Sequence, residues 1–309
     1  MAQQHTVHSL PRHRAGTDGG GPDAEPPEPT LNDLPIGEIL RELRQLTDEQ
    51  VAAILTRMRL TGQRFGEAAV ALRLARSEDV LWALSQQFHY PYAPDSKRGL
   101  NPELVVANEP FSQRAEAFRA MRSQLIMRLY SEPEAPRRAV AVVSPASGDG
   151  KTYFAANMAV AFSQLGGRTL LVDADMRNPR QHEVFKIDGN HGLSALLSGR
   201  DAGQVIHNVP DLPSLFVLPV GTTPPNPLEL VERPAFGLLM SEMLAKFDHV
   251  VVDTSAAMLG ADASVVAARC GAAIVVVRKD EARAAMLQDF VGLLGAGTVK
   301  IGGVVMNEY

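Results

Sequence analysis

The sequence predicts an α/β fold, a parallel sheet around a phosphate-binding loop (P-loop), with helices covering both faces of the sheet. Three observations lead to this prediction. Between residues 138 and 309, short apolar runs rich in β-branched residues alternate with helical segments, the pattern of strands that are buried on both faces. The first run is followed by SPASGDGKT (residues 144–152), and two later runs end in aspartate. A small helical repeat domain and a disordered N-terminal tail are expected to precede the sheet.

The composition is that of a folded intracellular protein. The chain has 309 residues, of which 45% are hydrophobic, and a net charge of -5. This acidic balance argues against non-specific nucleic-acid binding, because neutralising phosphates requires a basic surface. The single cysteine, Cys270, cannot form an internal disulfide, which fits a reducing compartment; we expect it to fill the core.

We expect neither a membrane helix nor a secretory leader in this sequence. No apolar run reaches the ~18–20 residues that a membrane helix needs, and the N-terminus has no apolar core of secretory length. We therefore expect a cytoplasmic protein that reaches a membrane only through a partner. Residues 1–33 are rich in Gly, Pro, His and Gln, and we predict that they form a disordered tail, because this composition buries too little apolar surface to offset its ordering entropy.

Residues 34–93 are predicted to form a helical repeat domain. The segment 36–55 aligns with 65–84 at an offset of 29 residues, with seven of twenty positions identical. Each copy has the pattern of two short helices, and in the first copy Thr47 and Gln50 have capping-box spacing. Repeats of this size bury their apolar faces against each other.

This repeat resembles the N-terminal domain of the ATPases of type II secretion and type IV pilus assembly. Some of those domains bind cyclic di-GMP through an Arg-Leu-Gly start to each repeat. The second copy keeps Arg64-Phe65-Gly66, whereas the first begins Pro35-Ile36-Gly37; a later glycine of the pattern is Arg44 in one copy and Arg73 in the other. Two functions of the repeat therefore stay open. One is protein docking, which these departures favour, and the other is cyclic di-GMP binding.

Residues 94–135 are predicted to be a linker followed by a helix. In FSQRAEAFRAMRSQLIMRLY (111–130), one helical face carries Phe111, Phe118, Met121, Leu125 and Leu129. Another face carries Glu116, Arg119 and Arg122 at spacings of three. Taken alone, this charged set is explained by a solvated face with a local ion pair.

Residues 136–309 are predicted to form the α/β domain. Its strands are expected at residues 139–143, 169–175, 215–219, 249–253, 272–277 and 301–306. In the P-loop, Gly148 and Gly150 allow backbone N–H groups to turn inward, and the following helix presents its positive end to phosphate. Lys151 is expected to reach the β- and γ-phosphates and Thr152 to bind Mg²⁺. Pro145 replaces the usual first glycine.

Three aspartates lie at or just after predicted strand ends. Asp173 and Asp175 belong to LLVDADMR, and Asp253 ends HVVVD. The carboxyl ends of parallel strands lie at the same sheet edge as the P-loop. Each aspartate alone could cap a helix, but three beside a P-loop indicate metal and phosphate chemistry.

Four strings in order resemble bacterial tyrosine kinases of exopolysaccharide synthesis, and most of all the EpsG-like chain-length-determinant kinases. They are EAFRAMR (116–122), LLVDADMRNP (170–179), GTTPPNPLELV (221–231) and FDHVVVDTSAA (247–257). The resemblance implies an ATP- and Mg²⁺-dependent protein tyrosine kinase that controls chain length and export. It also implies a position at the inner membrane, reached through the cytoplasmic segment of a membrane chain-length determinant protein.

The resemblance also implies roles for individual residues. Asp173 matches the proposed base for the tyrosine hydroxyl, while Thr152, Asp175 and Asp253 organise the metal. Glu116, Arg119 and Arg122 match the motif through which family members assemble into homo-oligomeric rings. The implied nucleotide contacts are Ser147, Gly148, Asp149, Gly150, Lys151, Thr152, Tyr153 and Asn307, the last of these to adenine.

Several departures leave the phosphate acceptor open. Ser147 and Ser255 stand where the family has prolines, and the family's C-terminal tyrosine cluster is reduced to Tyr309. Two residues follow Asn307 and span about 7 Å at ~3.3–3.6 Å each, so we expect that Tyr309 does not reach a neighbouring site. Water or a tyrosine of another protein is then the acceptor. The alternatives are a regulatory ATPase of the same fold, or a docking adaptor.

Overall fold

The computed structural model describes residues 35–87, 100–131, 136–200, 203–281 and 283–308. The predicted tail (1–33) lies outside these ranges, as do Tyr90, Tyr92 and Tyr309. In the described part of the chain, every helix is too short or too polar to cross a membrane.

The helical repeat, residues 36–87, contains two helix pairs that share one core. The capping box predicted at Thr47 and Gln50 is present and opens the second helix. Small and branched apolar side chains fill the core, among them Ile39, Leu40, Ile54 and Ala83. The helices are α1 (Ile36–Arg44), α2 (Asp48–Thr61), α3 (Phe65–Ala71) and α4 (Ser77–Gln87).

The two repeat glycines meet different surroundings although they occupy equivalent positions. A Cβ atom at Gly66 would lie 2.5 Å from Val80 Cγ1, whereas at Gly37 the nearest atom would be a ring carbon of Phe65 at 3.7 Å. Arg73, at the position of the later glycine in the repeat pattern that the sequence resembles, has a φ of 59°. The backbone there keeps the left-handed conformation that glycine adopts most easily.

In the described residues between the helical repeat and the first strand, the helices are α5 (Val105–Asn108) and α6 (Gln113–Leu129). Ser112 caps α6 by accepting a hydrogen bond from the Ala115 backbone N–H. Phe118, Leu125 and Leu129 are buried as predicted, whereas Phe111 lies before the helix and is exposed.

Within the described residues, the sheet has seven strands in the order β3-β4-β2-β5-β1-β6-β7. All neighbouring pairs are parallel except β3 and β4. The antiparallel edge strand β3 was not predicted, because three residues are too few for a periodic pattern. The strands are β1 (Ala139–Val143), β2 (Thr169–Asp173), β3 (His207–Val209), β4 (Leu212–Leu218), β5 (His249–Asp253), β6 (Gly271–Arg278) and β7 (Lys300–Asn307).

Helices cover both faces of the sheet, as predicted. Alternate residues of β1 show the two layers: Ala141 and Val143 belong to one core cluster, and Val140 and Val142 to the other. Cys270 is buried, which confirms its expected place in the core. The helices that follow β1 are α7 (Lys151–Ser163), α8 (Gln181–Phe185), α9 (Leu193–Leu197), α10 (Pro227–Glu232), α11 (Pro234–Lys246), α12 (Asp262–Cys270) and α13 (Ala284–Gly295).

The segment that we predicted as a linker and helix packs into the α/β core in its described part. Buried side chains of residues 104–107 and of α6 share one cluster with α7 and the sheet. The buried Asn157 side chain of α7 accepts a hydrogen bond from Val106 N (3.0 Å) and donates one to Glu103 O (2.8 Å). The predicted boundary at residue 136 therefore does not coincide with the edge of this core.

Candidate active site

The P-loop connects β1 to α7 and has the conformation that its glycines predict. Gly148 and Gly150 have φ values of 86° and 92°, a region that other residues rarely enter. The Asp149 carboxylate accepts hydrogen bonds from Ala146 N (3.0 Å) and Arg278 N (3.3 Å). Asp149 is buried and braces the loop from within, so its side chain is not placed as a nucleotide contact.

Asn307 also supports the loop. Its side-chain amide donates a hydrogen bond to the carbonyl oxygen of Asp149 at 3.1 Å. The residue lies at the end of β7 and lines the cavity described below. Asn307 thus connects the last strand to the P-loop.

The three aspartates converge because β2, β5 and β1 are neighbours in the sheet. Asp173 and Asp253 are register partners at the carboxyl ends of β2 and β5, next to the strand that leads into the P-loop. Asp175 lies two residues beyond β2, and its carboxylate accepts hydrogen bonds from Arg177 N (3.2 Å) and Asn178 N (3.0 Å).

The Asp173 carboxylate is fully buried and held by backbone N–H groups. One oxygen accepts from Asp175 N (3.1 Å), and the other from Arg180 N (3.2 Å) and Gln181 N (3.0 Å). Burial, followed by the charge of Asp253, raises the pKa of Asp173 well above its usual value. In this arrangement Asp173 organises the turn that follows β2.

Asp253 is bound at one oxygen only. Its Oδ2 accepts a hydrogen bond from Gln181 Nε2 at 2.9 Å, while its Oδ1 has no hydrogen-bond partner among the residues that the structure describes. Burial raises the pKa of Asp253 to about 6; the Gln181 hydrogen bond, the Lys151 charge and the nearby Thr152 hydroxyl act in the opposite direction. A buried carboxylate oxygen with an open valence fits a metal ion or a metal-bound water.

A cavity of about 840 Å³ lies at the P-loop. The P-loop, the first turn of α7 and Asp175 supply polar groups to its wall, and α6 and the end of β7 supply several apolar side chains. The principal lining residues are Ser147, Gly148, Gly150, Lys151, Thr152, Tyr153 and Asn307, together with Arg114, Phe118, Met121, Val305 and Met306.

An ion pair lies at the wall of this cavity. Arg180 Nη2 is 2.7 Å from Glu103 Oε1, and both residues line the cavity. The pair connects the segment before α5 to the turn after β2. Sequence reasoning missed both residues, because no local pattern marks a contact between positions 77 residues apart.

The structure does not bring the charged set of α6 into the cavity. Arg119 Nε pairs with Glu116 Oε2 at 2.9 Å, as the local ion-pair interpretation predicts. However, Arg119 also donates to the carbonyl oxygen of Pro110, and Arg122 Nη1 donates to that of Ala161 at 2.6 Å. The two arginines therefore attach α6 to neighbouring backbone, and only Glu116 is largely exposed, with 70% of its side chain accessible.

Two of the five tyrosines lie in the described ranges. Tyr130 is largely buried, its hydroxyl donates to Arg138 O at 3.1 Å, and burial raises its pKa to about 12. Tyr153 is half-buried beside Phe118, with ring centroids 6.0 Å apart, and burial raises its pKa. The Tyr130 hydroxyl is therefore engaged inside the fold, whereas Tyr153 lines the cavity.

The donor set suits a metal that is shared with a nucleotide. Within the described ranges, no group of three or more His, Cys, Asp or Glu side chains is arranged to hold a metal ion alone. Magnesium commonly binds through one or two carboxylates together with phosphate oxygens and water. Thr152, Asp175 and the open Asp253 oxygen fit that requirement.

Comparison with known proteins agrees with this geometry. Residues 140–309 match the family described as the CobQ/CobB/MinD/ParA nucleotide-binding domain. The chain is 32% identical over 212 residues to the putative tyrosine-protein kinase CapB of Staphylococcus aureus, covering 69% of this chain and 92% of CapB. It is 33% identical over 205 residues to the putative tyrosine-protein kinase EpsB of Ralstonia solanacearum, covering 66% of this chain and 27% of EpsB.

Among solved structures, the kinase domain of the Escherichia coli tyrosine kinase ETK is similar. It superposes with a TM-score of 0.63 at 28% identity, covering 69% of this chain and 82% of that domain. CapB, EpsB and ETK are all named as tyrosine kinases, the class of protein that the four strings indicated. The matched fold carries the P-loop and the aspartates. The chain belongs to the tyrosine-protein kinases that are built on the CobQ/CobB/MinD/ParA nucleotide-binding domain.

Proposed function

We propose that this chain is an ATP- and Mg²⁺-dependent protein tyrosine kinase of exopolysaccharide synthesis. The observation that carries the proposal is that Lys151, Thr152 and Asp175 line one cavity, next to the buried Asp253 carboxylate, whose pKa the Lys151 charge lowers. The P-loop N–H groups and the α7 N-terminus bind the β- and γ-phosphates, with Lys151 beside them. The apolar side chains of the cavity wall, Phe118 and Met121 among them, accept the nucleoside.

Thr152, Asp175 and Asp253 would hold the Mg²⁺ ion. When bound, Mg²⁺ neutralises charge on the phosphates of the nucleotide. Lys151 is buried at the start of α7, where its ammonium group stabilises negative charge on the transferred group in a site of low dielectric.

Asp173 is the proposed base for the acceptor hydroxyl. Its high pKa suits proton acceptance near neutral pH, but both of its oxygens are held by backbone N–H groups. Asp173 has no exposed surface, so the turn after β2 has to move before the carboxylate can reach a substrate. Movement of the turn after β2 is therefore part of the proposed catalytic cycle.

The decisive experiment replaces Lys151 with methionine. Lys151→Met removes the phosphate-binding charge and keeps the length of the side chain, so we expect loss of ATP binding by calorimetry and loss of phosphoryl transfer from labelled ATP. Lys300→Met, an exposed change at the start of β7, is the control and is expected to match the parent. Undiminished ATP affinity in a folded Lys151→Met protein contradicts the proposal.

A regulatory ATPase of the same fold is the second candidate. The position of Tyr130 favours it, because this hydroxyl is engaged by the Arg138 carbonyl oxygen inside the fold. The same labelled reaction separates the two functions. Phosphotyrosine on this chain or on an added partner segment, found by mass spectrometry, supports the kinase; free phosphate with unmodified protein supports the ATPase.

The proposed partner is the cytoplasmic segment of a membrane chain-length determinant protein, which would place this chain in the cytoplasm at the inner membrane and let it control polymer chain length and export. A homo-oligomeric ring formed through α6 remains part of the proposal. Glu116 is the most accessible of the three charged residues on this helix.

For the helical repeat we propose protein docking ahead of cyclic di-GMP binding. Titration of the full chain with cyclic di-GMP and with the partner segment distinguishes these two.

A further inference from the structure

Gln181 connects the three parts of the site, although no motif contains it. It is the first residue of α8 and has no exposed surface. Its backbone N–H donates to Asp173 Oδ2 at 3.0 Å. Its side-chain Nε2 donates to Asp253 Oδ2 at 2.9 Å and to the carbonyl oxygen of Thr152 at 3.2 Å. One residue therefore contacts both strand-end aspartates and the first turn of α7.

An amide side chain that is buried at this place needs hydrogen-bond partners to replace the water it has lost. A buried polar group without a hydrogen bond is destabilising, and Gln181 Oε1 has no partner in the described part of the chain. Asp253 Oδ1 is open in the same way. Packing alone would favour an apolar side chain here, so the two donated bonds are the feature that this glutamine adds.

Those bonds determine which Asp253 oxygen stays open. Because Nε2 occupies Oδ2, the Asp253 carboxylate is held in one orientation with Oδ1 unbound. The second bond, to the Thr152 carbonyl, fixes the amide relative to the residue whose hydroxyl would share the metal. Partners of metal-binding carboxylates orient them in this way, and their loss typically costs 10–100-fold in metal affinity or activity.

We infer that Gln181 is a positioning residue for the Mg²⁺–nucleotide site, acting through the orientation of Asp253. This inference rests on the proposed function. A positioning role differs from a purely structural role in its effect on nucleotide binding. Loss of the side-chain bonds should weaken the part of binding that depends on Mg²⁺ and should leave binding without Mg²⁺ unchanged.

The test uses Gln181→Met in the full chain. Methionine keeps the approximate shape and removes both side-chain hydrogen bonds, while the backbone bond to Asp173 stays. ATP affinity is measured by calorimetry with Mg²⁺ and with EDTA, and the ratio of the two affinities is the Mg²⁺-linked gain. We expect this gain to fall by roughly tenfold, with the affinity in EDTA within about twofold of the parent.

The matched control is Gln164→Met. Gln164 also donates from its side chain to a backbone carbonyl, that of Val106, at 3.3 Å, but it lies at the far end of α7. Its Mg²⁺-linked gain is expected to equal that of the parent. Gln181→Asn, which keeps an amide one methylene too short to reach Asp253, provides a second variant with the same expected loss if the methionine protein does not fold.

A double-mutant cycle with Asp253→Asn makes the inference specific. If Gln181 acts through Asp253, Gln181→Met adds no further loss of the Mg²⁺-linked gain once Asp253 is changed. The inference is overturned if Gln181→Met keeps the parental gain, or if its affinity falls equally with Mg²⁺ and with EDTA. Lys151→Met distinguishes failure of this inference from failure of the proposed function. If nucleotide binding survives in that variant, the proposed function itself is rejected.

Discussion

At the scale of single residues, buried polar side chains set the positions of whole segments. Asn157 accepts from Val106 N and donates to Glu103 O, and so holds the chain before α6 against α7. Asp149 and Asn307 act together on the P-loop. Each contact gives a hydrogen-bond partner to a backbone group inside or near the core, where leaving such a group unpaired is costly. This cost favours the one packing arrangement in which each of these groups has its partner.

His249 carries the clearest pH dependence. At the start of β5 its ring stacks on Phe162, with centroids 4.5 Å apart, and its edge faces Tyr130. Its buried Nδ1 has no hydrogen-bond partner in the described ranges. Burial lowers the pKa of His249 below 6.5; Arg137 and Arg122 act in the same direction and Asp248 in the opposite one.

The sign of the effect on stability follows from this pKa. Below about pH 6.5 the unfolded chain binds the proton more readily than the folded chain does, so the free energy of unfolding falls as pH decreases. We expect His249→Phe to remove part of this decrease, measured by urea unfolding across that pH range. The exposed His191→Gln variant is the control. An unchanged pH slope in His249→Phe would contradict the assignment.

At the scale of elements, α6 has three contact surfaces at once. Phe118 and Leu125 pack into the core, Arg114 and Met121 line the cavity, and Glu116 faces outward. A change in how α6 packs would therefore alter the wall of the nucleotide cavity. The charged set has to be tested residue by residue, because its members have different contacts.

Glu116→Lys and Arg122→Glu are expected to differ. Glu116 is exposed, so its reversal should change the free energy of unfolding by less than about 0.5 kcal/mol and lower the oligomer mass measured by light scattering. Reversal of Arg122 removes the hydrogen bond to Ala161 O and should cost about 1–3 kcal/mol in urea unfolding. Equal masses for the parent and Glu116→Lys, with the partner segment present, would argue against assembly through this face.

The helical repeat offers a matched pair of glycines. Gly66→Ala places a Cβ atom 2.5 Å from Val80 Cγ1, and the stiff Val80 side chain has little freedom to yield. Gly37→Ala meets ordinary contact at 3.7 Å and replaces a poor helix former. We expect faster amide hydrogen exchange across α1–α4 in Gly66→Ala and equal or slower exchange in Gly37→Ala. Similar exchange in both variants would refute the packing difference.

At the scale of the whole molecule, the described residues contain separate cores. The core of the helical repeat uses side chains from Ile36 to Ala83 alone. The α/β cores use side chains from Leu100 to Val305, including α5 and α6. The edge of the α/β core therefore lies near residue 100, not at residue 136.

Two truncated chains test this boundary. A chain that starts at residue 100 keeps every described contact of α5 and α6, and we expect it to fold and bind ATP with the affinity of the parent. A chain that starts at residue 136 exposes the surface that Phe118 and Leu125 cover, so we expect it to aggregate or to lose cooperative thermal unfolding. Equal stability of the two chains would show that α5 and α6 are dispensable to the core.

The sequence by itself determined the strands, the P-loop and the three aspartates, because these depend on local order. Apolar runs buried on both faces identify a parallel sheet, and the Gly148 and Gly150 backbone is set by neighbours in the chain. The aspartates were recognised because parallel strands bring their carboxyl ends to one edge. The short strand β3 escaped prediction, since a three-residue edge strand has no periodic pattern.

Only the tertiary structure decided how residues 100–131 pack and which side chains complete the site. Gln181, Arg180 and Glu103 act through partners far away in the chain, and no spacing in the sequence records those contacts. The same holds for Arg119 and Arg122, whose charges suggested a surface but whose hydrogen bonds go to nearby backbone carbonyls. Local propensity specifies elements, whereas the pairing of buried polar groups depends on which elements meet after folding.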